Sequence, residues 1–485
     1  QRADCVRSAT LANARDTRAV LGLLPPRASP FDMLALAGRM LKEIAGDAEV
    51  IALTAPREDE ARDAPRGAGA AAAATSRAGE RLAALLSAAL AHAFELPTFR
   101  GPAGSTAAQA HTAAQARRRL RRIEIVGGPP LDLSYIEAAA RGNDLARFLT
   151  ALPPNVLDAA AYRNYLARFA RERELDLHWF GERALERLGA NAFLAVARGS
   201  ATRTAGIARL SYRPTRRRGR SSGRSRSRRA VIGRDAPEVA LVGKGVLFDT
   251  GGTNLKPHRS MLEMHTDMAG SAVALATLGA LAQLHAPLAA DAWLAITENR
   301  VGPRSYLPQE IVRAANGVTI QVIHTDAEGR MALADTLALA GRTRPRLMMD
   351  FGTLTGTCIY ALTERMSGLA TNEPRLLPTL LAAGRASGER VWSFPFDADY
   401  DADLESKVAD VLQCSVEAKG DHILAARFLA RFVPEGTPWV HLDLSSAVRA
   451  GGLAHVPTDV TGFGVRFALE LLVRTRVLDE ARALA

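Results

Sequence analysis

The chain has 485 residues, 48% of them apolar and 23% charged, with a formal net charge of +11. That length supports a large core and divides more naturally into two domains than one, and no stretch approaches the roughly 18 consecutive strongly apolar residues of a membrane-spanning helix. Three cysteines, Cys5, Cys358 and Cys414, make no C-x-x-C pair and no closely spaced framework, which argues against a disulfide scaffold and makes a reducing compartment, the cytoplasm, the expected one.

The opening "QRADCVRSATLANARDTRAV" lacks the apolar core of a secretory signal, and its arginines leave an organellar address as the alternative. "RMLKEIAG" and "ERLAALLSAALAHAF" read as helices, "AEVIALT" and "RRIEIVGG" as strands, and "DAPRGAGAAAAATSRAG" as a loop. Residues 1–145 are thus expected to form a smaller N-terminal α/β domain. A helix over "YIEAAARGNDLARFLTA", stopped by "LPPN", marks the link to the second domain at 146–485.

In that second domain "AGIARLSY" and "PEVALVGKGVLF" read as strands, and between them lies "RPTRRRGRSSGRSRSRR", residues 213–229, with nine arginines and no acid. Such a segment cannot bury enough apolar surface to order itself, so a solvated surface insertion is expected. A tether for nucleic acid is the weaker reading, because no aromatic side chain is interleaved to stack on bases. From residue 191 onward "AFLAVARG", "DAWLAITEN", "VTIQVI", "RLMMDF" and "WVHLDL" are further apolar strands. They alternate with helices at "HTDMAGSAVALATLGALAQL", "GRMALADTLALAG", "HILAARFLARFV" and "GVRFALELLVRTRVL". Near-continuous apolar strands need cover on both faces. The fold class is therefore α/β, with a mostly parallel central sheet flanked by helices in the larger domain.

Three strand ends carry reactive groups. "GKGVLFDTGGTNLKP" supplies Lys244, Asp249 and Lys256, "MLEMHTDMAG" supplies Asp267, and "HTDAEGR" supplies Asp326, Glu328 and Arg330. One such aspartate is ordinarily a helix cap or turn residue. Four carboxylates converging on one place would repel one another unless cations lay among them, and divalent ions are the usual remedy. Only five of the 62 basic residues are lysines. Two of those five flank Asp249, in positions that exploit what lysine does and arginine does not: lose a proton to become a neutral amine, or act as a compact point charge. The glycines around Lys244 do not make a phosphate loop, since the Walker pattern is absent.

These residues and their order resemble the leucyl aminopeptidase family, the cytosol aminopeptidases with two metals in the active site. The resemblance runs over about residues 145–475 through "LVGKGVLFDTGGTNLKP", "MHTDMAGSAV", "HTDAEGRMALADTL" and "DFGTLTGT". It implies that Asp249 and Glu328 bridge two divalent ions, zinc or manganese foremost, with magnesium or cobalt as alternatives. Asp326 would complete one shell, and Lys244 with Asp267 the other. It further implies that Lys256 polarises the peptide carbonyl and that Arg330 holds a bicarbonate acting as general base. Met264, Thr353 and Gly356 would line the pocket for the first residue of a short peptide, Met264 having plain core packing as its alternative. A homohexamer is implied, with the N-terminal domain serving assembly. His324 and Ala269 depart from the family pattern, where asparagine and glycine are usual. His324 is expected to pack beside the ligands rather than join them. A paralogue that keeps the fold without turnover, held in a larger assembly, is the alternative function.

Overall fold

The computed structural model describes residues 5–13, 17–25, 27–44, 48–55, 68–99, 120–214, 236–417 and 419–484, with 68–76 described by backbone alone. The arginine-rich insertion expected at 213–229 lies outside the described residues from 215 onward. Arg213 itself is described, and its guanidinium meets buried Asp291 at 2.8 Å.

In the N-terminal part, β1 (Cys5–Thr10) and β2 (Arg18–Leu23) form an antiparallel hairpin, and β3 (Val50–Leu53) pairs in parallel with β4 (Arg122–Ile125). Helices Pro30–Ile44 and Ala68–Ala93 close a small core through Leu34, Leu41, Leu82 and Ile51. The second helix corrects the loop expected over "DAPRGAGAAAAATSRAG": from Ala68 onward the backbone is helical, consistent with alanine having the strongest intrinsic helix propensity. Residues 63–67 of that loop lie outside the described residues. Helix Leu133–Thr150 runs unbroken through the expected boundary at 145 and contributes Ile136 to the small core and Ala138, Ala146 and Leu149 to the large one.

Residues from 176 onward supply an eight-stranded sheet, in the order β13-β12-β15-β11-β7-β8-β6-β5. Its centre is parallel: β15 (Trp439–Asp443), β11 (Leu347–Gly352), β7 (Val239–Asp249) and β8 (Ala290–Asn299). On one side β6 (Gly206–Tyr212) runs antiparallel to β8 and to β5 (Asp176–Gly181); on the other β12 (Ser367–Thr371) runs antiparallel to β15 and parallel to β13 (Val391–Ser393). Side chains alternate between two apolar layers. Val239, Leu241 and Leu247 of β7 face helices Leu133–Thr150, Ala269–Gln283 and Val465–Arg474. Ala240 and Val242 face helices Asn191–Ala197, Glu328–Gly341 and Asp421–Ala430.

Two strand expectations are corrected. "AFLAVARG" is the helix Asn191–Ala197, whose Phe193 N–H donates to the carboxylate of Asp335 at 2.9 Å and whose Phe193 and Val196 fill the core. A short apolar run carries no period that separates a strand from a buried helix turn. "VTIQVI" keeps only β10 (Thr319–Gln321), which stays out of the main sheet and pairs with β9 (Ile311–Arg313) and β14 (Val411–Leu412). The helix expected over "GVRFALELLVRTRVL" breaks at Thr475, whose hydroxyl returns to the Leu471 carbonyl at 2.6 Å.

Candidate metal centre

The four central strands end at one edge, the place where a parallel sheet collects ligands. There Lys244 and Asp249 come from the same strand although they are five residues apart, an odd spacing that would put them on opposite faces. The register resolves this. Lys244 lies opposite Ala295 and Asp249 opposite Asn299, and β7 contains one extra residue between Val246 and Asp249. That bulge turns Asp249 to the Lys244 face. Without it the carboxylate would point into the opposite apolar layer, as Leu247 does.

The remaining groups arrive from neighbouring segments. Asp267 ends the short turn Met264–Thr266, just before helix Ala269–Gln283. Glu328 opens helix Glu328–Gly341, with Arg330 two residues on. Gly329 is required by that helix's close approach: a Cβ there would lie 2.6 Å from Lys244 Nζ. Gly251, at φ +86°, turns the chain after Asp249, and a side chain on it would strike the Asn254 carbonyl at 2.4 Å.

Asp249, Asp326 and Glu328 offer carboxylate oxygens within 4.8 Å of one another. Lys244 Nζ lies 2.7 Å from Asp267 Oδ1 and 2.9 Å from Glu328 Oε1, and it donates to the Thr353 carbonyl at 3.0 Å. Lys256 Nζ lies 2.8 Å from Asp249 Oδ2 and 2.5 Å from Asp326 Oδ1. Thr353 donates its hydroxyl to Asp267 Oδ1 at 2.7 Å. Lys244, Asp249, Asp267, Glu328 and Arg330 are all buried, whereas Lys256 is 14% exposed and Asp326 26%, so the cluster opens to solvent on the Asp326 side. Met264 is half-buried rather than core, and Gly356 is exposed at the start of helix Gly356–Leu362, with open space where a Cβ would sit.

Burial raises the carboxyls of Asp267, Asp326 and Glu328 above the usual carboxylate range, and their mutual repulsion adds to the shift beyond what the lysines offset. Burial works against the Lys244 charge, yet Asp267, Glu328 and Asp249 outweigh it and hold the ammonium. Four carboxylates against two ammoniums leave an excess of buried negative charge. Asp267 Oδ2 is also buried with no hydrogen-bond partner among the described residues. Both observations fit a site for cations, and a donor set of carboxylate oxygens with one amine suits hard or borderline divalent ions.

Several functional neighbours carried no signal in the sequence. Asn299, at the end of β8, donates to Asp249 Oδ1 at 2.8 Å and to the Thr325 carbonyl at 3.0 Å. Gln413 clamps the loop before Glu328: its Oε1 accepts from the Ile323 and His324 N–H groups and its Nε2 donates to the Ala327 carbonyl. Asp421 binds Arg330, Oδ2 to Nη2 at 2.6 Å. For Asn299 the only signal is its place at the end of the apolar strand "DAWLAITEN". His324 lies outside the carboxylate trio; it is exposed, and its Nδ1 accepts from the Asp326 N–H at 3.3 Å. Ala269 puts its methyl into the apolar layer under the sheet.

Residues 144–469 match the cytosol aminopeptidase family, catalytic domain. A probable cytosol aminopeptidase of Syntrophotalea carbinolica is 39% identical over 332 residues, covering 68% of this chain and 63% of that protein. One from Parasynechococcus marenigrum is 36% identical over 361 residues, covering 73% of this chain and 70% of that one. The chain thus spans less than two thirds of the first relative's length and slightly more of the second's. Among solved structures, the bottromycin maturation enzyme BotP in complex with Mn superposes with a TM-score of 0.78 at 30% identity, over 97% of this chain and 93% of that one. A lysine-to-glutamate mutant of tomato leucine aminopeptidase gives 0.79 at 25% identity, over 97% and 84%.

Proposed function

Because the chain belongs to the cytosol aminopeptidase family, we propose that it is a metal-dependent aminopeptidase that removes the first residue of short peptides, favouring leucine or another apolar residue there. The observation that carries this reading is the meeting of buried Lys244, Asp249, Asp267 and Glu328 with half-buried Asp326 and Lys256 at one sheet edge. Asp249 and Glu328 would bridge two divalent ions, Asp326 would complete one shell, and Lys244 with Asp267 the other. When bound, the ions acidify a water and place positive charge opposite the developing oxyanion.

The chain's own groups do the rest. Lys244 enters such a site by giving up the proton it holds among the carboxylates, which lysine can do and arginine cannot. Lys256, on the open side, orients the carbonyl oxygen and offsets charge as the tetrahedral carbon forms. Thr353 touches Asp267 through its hydroxyl and Lys244 through its carbonyl, which supports a role for the Thr353–Gly356 turn beside the substrate's amino end. Met264 precedes Asp267 in the adjoining turn, and with Thr353 and Gly356 it would border the first-residue pocket. A bicarbonate on Arg330, which the family resemblance implies, would have to share the guanidinium with Asp421.

The test is release of p-nitroaniline from L-leucine p-nitroanilide after reconstitution with Mn²⁺, Zn²⁺, Co²⁺ or Mg²⁺. The Mn in the BotP complex makes Mn²⁺ the first choice. Turnover that vanishes on chelation and returns with metal is expected. Absence of metal-dependent turnover with all four ions would sink the reading in favour of an inactive paralogue, which the intact carboxylate set does not favour.

A further inference from the structure

Arg330 is buried, and its charge is held by Asp421: Nη2 donates to Asp421 Oδ2 at 2.6 Å, while Nη1 donates to the Gln413 carbonyl at 3.3 Å. Asp421 uses only that one oxygen. Its Oδ1 is buried and has no hydrogen-bond partner among the described residues, and Arg330 Nε is likewise without one there. A carboxylate with a spare oxygen on a fixed arginine is both anchored and able to accept a proton. Asp421 also stands beside the reaction centre. Arg330 follows Glu328 by two residues on one helix, and Gln413, whose carbonyl accepts from Arg330, donates its side chain to the Ala327 carbonyl between Asp326 and Glu328. Asp421 opens helix Asp421–Ala430, and its side chain is 19% exposed, through atoms other than the buried Oδ1.

We propose that Asp421 is the resident proton acceptor of this site, seated on Arg330 where an exogenous anion would otherwise bind. The proposal rests on the aminopeptidase reading. As the oxygen of the attacking water bonds to the peptide carbonyl carbon, its O–H bond breaks and the proton passes to the Asp421 carboxylate. When the C–N bond breaks, the same proton goes to the leaving nitrogen, and Asp421 returns to its ionised form. Hydrolysis then needs no bicarbonate.

The test uses the full-length protein and the variants Asp421→Ala and Asp421→Asn. In bicarbonate-free buffer the wild type is expected to turn over leucyl p-nitroanilide at a rate unchanged by added bicarbonate or formate. Asp421→Ala is expected to lose about 10²-fold or more in kcat, as for a removed general base, and to recover at least tenfold with formate or bicarbonate, which refill the place on Arg330. Asp421→Asn is expected to be equally slow and not rescued, because the amide fills that place without accepting a proton. A second readout needs no turnover: ¹³C-formate titrated into metal-free protein should bind Asp421→Ala saturably and the wild type not at all. A several-fold rise of wild-type activity with bicarbonate would overturn the proposal, as would Asp421→Ala keeping full activity without any added anion. Should Asp421→Ala fail to fold, a fully active Asp421→Asn would overturn it equally. A wild type inactive with every metal would sink the aminopeptidase reading instead, and formate binding to the metal-free wild type would still decide whether Asp421 occupies Arg330.

Discussion

Asn299 is the residue that holds Asp249 in place, and its own amide is fixed by the Thr325 carbonyl. Replacing it with alanine leaves Asp249 Oδ1 with the Gly251 N–H as its remaining hydrogen-bond donor. Groups that orient ligands typically account for 10- to 100-fold in metal affinity. Asn299→Ala should therefore weaken Mn²⁺ or Zn²⁺ binding by that order in titration calorimetry, with the fold preserved by circular dichroism. Lys256 belongs to the opposite case, a charge aimed at substrate. Lys256→Met should lower kcat for leucyl p-nitroanilide by about 10²- to 10³-fold, the range for losing one oxyanion donor, with a much smaller change in KM. Equal losses in binding and turnover would mean that Lys256 serves only to balance Asp249 and Asp326.

At the scale of elements, the site depends on how closely helix Glu328–Gly341 approaches β7. The helix comes so near that Gly329 has Lys244 Cε 2.5 Å from where a Cβ would stand. Gly329→Ala must therefore push either the lysine or the helix aside, at about 1–3 kcal/mol for overpacking a tight contact. A fall in Tm together with loss of metal-dependent activity is expected, and an unchanged metal titration would contradict the assigned role of Lys244. The loop that carries Asp326 into place is held by Gln413 from the end of β14, a strand of the small sheet. This explains why β10 stands apart from the main sheet. Pairing with β9 and β14 puts the 323–327 loop within reach of Gln413.

For the whole molecule, the arginine-rich insertion and the assembly are the two open features. Tyr212 and Val239 both pair with Ala290, from opposite sides of β8, so the ends that bracket the insertion are two strand spacings apart, about 10 Å. A handful of residues spans that distance. Deleting 216–229 while keeping Arg213, which pairs with Asp291, should leave kcat and Tm nearly unchanged. The full chain should show no saturable binding of labelled duplex or single-stranded DNA at about 150 mM salt, where exposed charges are largely screened. Saturable binding lost on deletion would restore the nucleic-acid tether. The homohexamer implied by family resemblance predicts a light-scattering mass near six times the 51.8 kDa of one chain, and a monomer at micromolar concentration would contradict it.

The sequence by itself determined the fold class and singled out Lys244, Asp249, Lys256, Asp267, Asp326 and Glu328, which the fold brings together, because apolar strands with polar ends and scarce lysines beside aspartates are local patterns. "AFLAVARG" reads as a strand and the alanine run as a loop, because a short apolar stretch has no decisive period and the alanines stand among Pro65, Gly67, Gly69 and Gly79. Tertiary structure alone decided the parity of Asp249, since the bulge exists only against the register of β8. It alone paired Arg330 with Asp421, 91 residues away. Contacts made across such separations depend on how strands and helices stack, and no spacing along the chain encodes them.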